Sequence, residues 1–146
     1  MPSRRVTDLS TLLCDLWLDM RATYTEQFPN RELWLTASYR SPVEQFELYK
    51  KGRHLKGQDE QDPASWELDG DPSTQILTYR DGYVKLSKHN LMPSQALDFV
   101  ILIDGKISWE PKEYTVVGEL AEAKGFVWGG SWKSFPDFVH VEVPDA

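Results

Sequence analysis

The chain has three histidines, and two of them stand where they can do chemistry together. His89 precedes the apolar segment Ala96-Leu97-Asp98-Phe99-Val100-Ile101, and His140 lies in Val139-His140-Val141-Glu142-Val143. Asp98 is the anomaly, because a carboxylate inside an apolar strand is costly unless a cation or a metal meets it. Two imidazoles and one carboxylate supply three ligands and leave the fourth zinc position open, as a catalytic zinc requires. Strand periodicity puts His140 and Glu142 on one face and Val139, Val141 and Val143 on the other, which suits the floor of a groove. Asp137 stands three residues before His140, at the strand entrance, where a carboxylate can reach an activated water without ligating the metal. A lone histidine is more often a packed or surface residue, so the case rests on the combination. The third histidine, His54, follows Gly52-Arg53 and reads as a cation at a helix end.

The elements that must bring these residues together follow from periodicity. Leu9, Leu12, Leu13, Leu16, Trp17, Met20 and Tyr24 recur at steps of three and four, one apolar face of a helix that Thr7 or Asp8 caps and Phe28-Pro29-Asn30 ends. Cys14 lies inside that helix and reads as a small structural thiol. Leu33 to Tyr39 alternates and is rich in strand formers. Ser41-Pro42-Val43-Glu44 is a helix start, with Ser41 as cap, Pro42 in the first turn and Glu44 closing a capping box; Gly52 ends that helix. Ala96–Ile103 reads as a buried strand, Asp104-Gly105 as a hairpin turn and Lys106–Trp109 as the return strand. Lys112–Lys124 reads as a helix ended by Gly125, and Val139–Val143 as the last strand. Helix, strand, helix, loop, hairpin, helix and strand in that order predict a single α+β domain over residues 1–146, a small antiparallel sheet with helices packed on it and a zinc site in a groove.

Residues 55–75 read as a long acidic loop insertion, since Asp59 to Asp71 holds six acids and no basic residue. Asp69-Gly70-Asp71 hints at calcium, but no glutamate closes a calcium loop there. Sixteen Lys and Arg against 23 Asp and Glu give a net charge of −7, which phosphate backbones repel, so nucleic acid is not expected as a partner. One cysteine excludes an internal disulfide and a cysteine zinc cage. The longest apolar run is far short of the ~20 residues of a membrane span, and the N-terminus has no apolar signal core. The expectation is a monomeric protein without a membrane anchor, made in a cytoplasm.

Four segments carry a resemblance. Ser38-Tyr39-Arg40-Ser41-Pro42-Val43-Glu44-Gln45 with Leu48-Tyr49-Lys50-Lys51-Gly52-Arg53 is the first; Ser87-Lys88-His89 continuing to Ser94-Gln95-Ala96-Leu97-Asp98 is the second. Gly125-Phe126-Val127-Trp128-Gly129-Gly130-Ser131-Trp132 and Phe135-Pro136-Asp137-Phe138-Val139-His140-Val141-Glu142 are the third and fourth. In this order they resemble the zinc metallopeptidases of peptidoglycan stem peptides, the D-alanyl-D-alanine carboxypeptidase and bacteriophage L-alanyl-D-glutamate endopeptidase family. The interval from His89 to Asp98 is longer than the family's, Asn90-Leu91-Met92-Pro93 replaces a short glycine turn, and Ser131 stands in place of an aspartate.

The resemblance implies one zinc on His89, Asp98 and His140, with Asp137 as general base and then proton donor to the leaving amine. Arg40, whose planar fork suits an oxyanion or a carboxylate, stabilises the developing charge or binds substrate. Ser87, Gln45, Trp128 and Trp132 are the candidate substrate-binding residues, the two tryptophans walling a cleft across the glycine turn. The implied function is an L-alanyl-D-glutamate endopeptidase of the phage endolysin type, acting on the cell wall after release. A D-alanyl-D-alanine carboxypeptidase is the alternative within the family. A non-catalytic zinc-stabilised binding module is the alternative of another class, distinguished by whether a base is kept at Asp137.

Overall fold

The computed structural model describes residues 1–70 and 76–145. Among them are three helices, α1 (Thr11–Gln27), α2 (Pro42–Lys50) and α3 (Pro111–Ala123). The strands are β1 (Arg31–Ala37), β2 (Arg53–Leu55), β3 (Trp66–Leu68), β4 (Ala96–Ile103), β5 (Lys106–Ser108), β6 (Val127–Trp128) and β7 (His140–Glu142). The main sheet is antiparallel in every pairing and runs β1-β4-β7-β6, with β5 paired to the far end of β4. This is the α+β arrangement that the order of elements predicts.

One face of the sheet carries the core. Leu97, Phe99 and Ile101 of β4, Leu33 of β1 and Val141 of β7 meet Leu13, Leu16, Trp17, Met20 and Tyr24 of α1 and Tyr114, Val117 and Ala121 of α3. The alternate residues of the same strands, Asp98, His140 and Glu142, therefore point to the opposite face. Gly118 of α3 lies so close to the Trp128 ring that a Cβ there would overlap it, and the glycine lets β6 approach the helix.

Several boundaries differ from those the sequence predicts. Ser10, not Thr7 or Asp8, caps α1 by accepting from Leu13 N–H at 3.4 Å; Val6–Asp8 is a separate short turn. Leu12 is 64% exposed and lies outside the apolar stripe. At ~100° per residue it sits about 100° from Leu13, whereas Leu16, Trp17, Met20 and Tyr24 stay within about 60°. Cys14 is partly buried against the core. β1 begins two residues early and ends before Ser38, β5 stops short of Trp109, and β7 is trimmed to three residues. The capping box at Ser41 and Glu44 forms as expected, with Ser41 Oγ accepting at 3.1 Å and Glu44 Oε1 at 3.0 Å.

The larger correction is the acidic segment. It holds a hairpin: β2 and β3 pair in register Arg53–Leu68, His54–Glu67 and Leu55–Trp66. A second aromatic cluster anchors it, with Phe46 of α2 edge-on to Trp66 and to Tyr83, and Lys50 over both Phe46 and Trp66. Acidic composition hides this hairpin because its support comes from another helix. His54 belongs to β2 and meets Asp69 at 2.9 Å across the hairpin instead of serving a helix end. Asp71, part of the Asp69-Gly70-Asp71 calcium hint, falls outside the described residues, as do 72–75 of the expected loop.

Candidate metal centre

Asp98 and His140 are directly opposed in register between β4 and β7, so sheet pairing alone brings two of the three candidate ligands together. His89 comes from a one-turn helix, Lys88–Asn90, whose position is fixed by local hydrogen bonds. Ser87 Oγ accepts from His89 N–H, and Asn90 Oδ1 accepts from Ser87 N–H at 2.9 Å. Arg40 N–H donates to His89 carbonyl and Asn90 Nδ2 donates to Arg40 carbonyl, both at 2.8 Å, which ties the turn to the chain entering α2. The long interval from His89 to Asp98 is absorbed by Ser94. Its buried hydroxyl lies within hydrogen-bond distance of the Ser38 and Ala96 carbonyl oxygens, which share its one proton, and its backbone bonds Asp8 and Ser10.

The three ligand atoms lie within 4.8 Å of one another. The partners on the far side of each imidazole assign its proton. His89 Nδ1 donates to the Ser38 carbonyl at 2.8 Å, which turns Nε2 to Asp98 Oδ1 at 3.2 Å. His140 Nε2 donates to Glu142 Oε1 at 2.8 Å, which turns Nδ1 to the same Asp98 oxygen at 3.1 Å. Two imidazole lone pairs and one carboxylate oxygen thus converge on one point. Three acceptors meeting in a buried place need a cation or added protons, and this donor set of two nitrogens and one oxygen fits zinc.

Without a cation, protons do the work. Burial alone would lower the His140 pKa, but its bonds to Asp98 and Glu142 outweigh it and push the value up to about 9. Burial alone would raise Asp98, but the two histidines hold its carboxyl far below the usual range. Glu142 behaves likewise, burial being outweighed by its bond to His140 and by Lys88. Asp137 goes the other way: burial first, and then the charge of Asp98, raise its pKa. A carboxylate displaced upward beside a candidate metal centre is suited to proton transfer. Asp137 is set in the turn entering β7, its N–H donating to Gly129 carbonyl at 2.9 Å. A Cβ at Gly129 would strike the Asp137 carbonyl, so glycine permits this crossing.

The remaining candidates divide. Arg40 reaches the site, its Nη2 donating to Asp98 Oδ2 at 3.4 Å. Gln45 is buried beneath it instead of facing a substrate: Oε1 accepts from Arg40 at 2.8 Å, while Nε2 donates to Arg80 carbonyl and Thr78 Oγ1. Ser87 Oγ accepts from His89 N–H in the turn that presents that histidine. Trp128 is a core residue, not a cleft wall, and its indole N–H donates to Phe138 carbonyl at 2.9 Å. Trp132 does stand at the site, its ring 5.3 Å from that of His140. Ser131, in the place of the family's aspartate, bonds Glu122 of α3.

Sequence reasoning missed the Ser38 carbonyl, which no side-chain pattern reveals. Tyr79 and Phe135 form an exposed edge-on pair, their rings 5.0 Å apart. Glu142 was visible through its shared face with His140, and its part here is to orient that ring.

Residues 80–143, which hold the second, third and fourth of the segments that carry the resemblance, match the family described as D-alanyl-D-alanine carboxypeptidase. The chain is 33% identical over 119 residues to the peptidoglycan L-alanyl-D-glutamate endopeptidase CwlK of Bacillus subtilis. That match covers 75% of this chain, and the chain spans 59% of the relative's length. Among solved structures, the Serratia marcescens L-Ala D-Glu endopeptidase ChiX shares the fold, with a TM-score of 0.53 at 19% identity, over 99% of this chain and 89% of that one.

Proposed function

We propose that this chain is a zinc-dependent peptidase of peptidoglycan stem peptides, cutting the L-alanyl-D-glutamate bond. The observation that carries the reading is the convergence of His89, Asp98 and His140 on one cation-sized point, with each imidazole oriented from behind. The activity named for the Bacillus and Serratia proteins supports the choice of bond. Zinc held by these three residues would supply Lewis-acid chemistry and would lower the pKa of water towards neutrality. Asp137 takes the proton of the attacking water as oxygen bonds to the scissile carbonyl carbon. It returns that proton to the amine nitrogen as the carbon–nitrogen bond breaks. Arg40, oriented by Gln45, faces the negative charge that develops on the carbonyl oxygen or a carboxylate of the substrate. Trp132 flanks the reacting centre and borders the substrate.

The Gly-Phe-Val-Trp-Gly-Gly stretch supports a phage endolysin acting on the wall after release, with peptidoglycan as its partner. No described helix is long and apolar enough to cross a membrane. The family description keeps D-alanyl-D-alanine carboxypeptidase as the second reading. Digestion of purified peptidoglycan by the zinc-loaded protein, with mass spectrometry of the new termini, decides between them. New D-glutamyl amino termini are expected. Release of free D-alanine alone would establish the carboxypeptidase, and zinc binding without any cleavage would establish the binding module.

A further inference from the structure

Lys88 precedes a candidate ligand in sequence, yet its side chain serves a different one. Its ammonium, 20% exposed, lies 3.1 Å from Glu142 Oε2 and 3.0 Å from Asp145 Oδ1, and donates to the Val143 carbonyl. Backbone hydrogen bonds bring it there. Gln95 N–H donates to Lys88 carbonyl at 3.1 Å, and Val143 N–H donates to Gln95 carbonyl at 2.9 Å, so the His89 turn is stitched to the end of β7 through one residue. Glu142 then has one oxygen on Lys88 and the other on His140 Nε2 at 2.8 Å, while His140 Nδ1 faces Asp98. A half-buried carboxylate with a single imidazole partner can rotate away; one held at both oxygens cannot do so without leaving a buried charge unpaired.

We propose that Lys88 is a positioning residue of the metal centre, acting through Glu142 to hold His140 with Nδ1 aimed at the point where His89 and Asp98 converge. This rests on the zinc reading above. Partners that orient a ligand from behind are typically worth ~10–100-fold in metal affinity. Lys88 acts one bond further out, at the low end of that range.

The test is zinc affinity by chelator competition, which does not depend on turnover. Lys88→Met keeps the aliphatic stem and removes the charge, and should weaken zinc binding by about tenfold. Lys88→Arg should restore most of it. Glu142→Gln should weaken binding at least as much, and adding Lys88→Met to Glu142→Gln should cost nothing further, because the first change has already cut the path. Asp145→Asn, at an exposed partner, should leave affinity unchanged. Lys88→Gln serves in place of Lys88→Met if circular dichroism shows that variant unfolded. Wild-type affinity in Lys88→Met, losses that multiply in the double variant, or an equal loss in Asp145→Asn would each overturn the proposal. Failure of the wild type to bind zinc would instead overturn the metal reading.

Discussion

The two halves of the site are built differently. On the ligand half, His89 is 2% exposed and every candidate ligand has a second contact behind it: Ser38 behind His89, Glu142 behind His140, Arg40 behind Asp98. On the open half, Trp132 is 37% exposed and rests on the His140 ring, and the chain that leads to Asp137 carries Phe135, 50% exposed and paired edge-on with the equally exposed Tyr79. Phe135 has a φ of 53°, a left-handed conformation that a bulky residue adopts only when its surroundings impose it, and it stands two residues before Asp137. The contrast is that of a centre whose geometry is fixed before anything binds and an edge left free to meet a large substrate.

Breaking the fixed half should have the largest effect. Asp98→Asn, His89→Ala or His140→Ala each removes one of three ligands and should weaken zinc binding by more than the ~10–100-fold typical of a partner one layer out. Metal analysis after dialysis against a weak chelator reads this directly; full zinc occupancy in any of the three would remove that residue from the ligand set.

Arg40 lies between the halves. Arg40→Ala should keep zinc and lower kcat/KM by about 10²–10³-fold, the usual cost of removing a donor to a developing oxyanion. Gln45→Leu should follow it in the same direction with a smaller loss, because it frees the guanidinium without removing it. Steady-state kinetics on a stem peptide check both. A Gln45→Leu loss exceeding that of Arg40→Ala would mean that Gln45 acts on its own.

The smallest effects belong to the open half. Tyr79→Ala or Phe135→Ala forfeits an aromatic pair worth about 0.5–1.5 kcal/mol. Either should raise KM several-fold with zinc affinity unchanged. A loss of zinc on either change would show that the open edge supports the centre and erase the contrast between the halves.

How much of this was legible in the sequence follows the same division. Asp98 in an apolar strand, and His140 alternating with valines, are visible because burial makes polarity conspicuous; strand pairing then sets them face to face. The capping box at Ser41 was legible because a cap is a short-range device. The hairpin at β2 and β3 was not, because Trp66 gains its support from Phe46, 20 positions earlier, and acidic composition reads as loop. Trp128 and Trp132 look alike in sequence, four residues apart, yet one is packed on Gly118 and the other stands beside His140. Only the crossing of β6 with α3 decides which is which. Gln45 and Ser87 are polar residues near the site whose hydrogen bonds point backwards into the scaffold, a direction that no pattern of residue types discloses.

The division of labour between Asp98 and Asp137 is tested most directly by Asp137→Asn, assayed for bound zinc and for hydrolysis on the same preparation. The amide is nearly isosteric and still accepts a hydrogen bond through its oxygen, but it takes no proton at neutral pH. One zinc per chain should remain, and hydrolysis should fall by about 10²–10⁴-fold, the usual worth of general acid–base catalysis. Loss of zinc as complete as that from Asp98→Asn would make Asp137 a ligand, and undiminished hydrolysis would place the base elsewhere; either result contradicts the assignment.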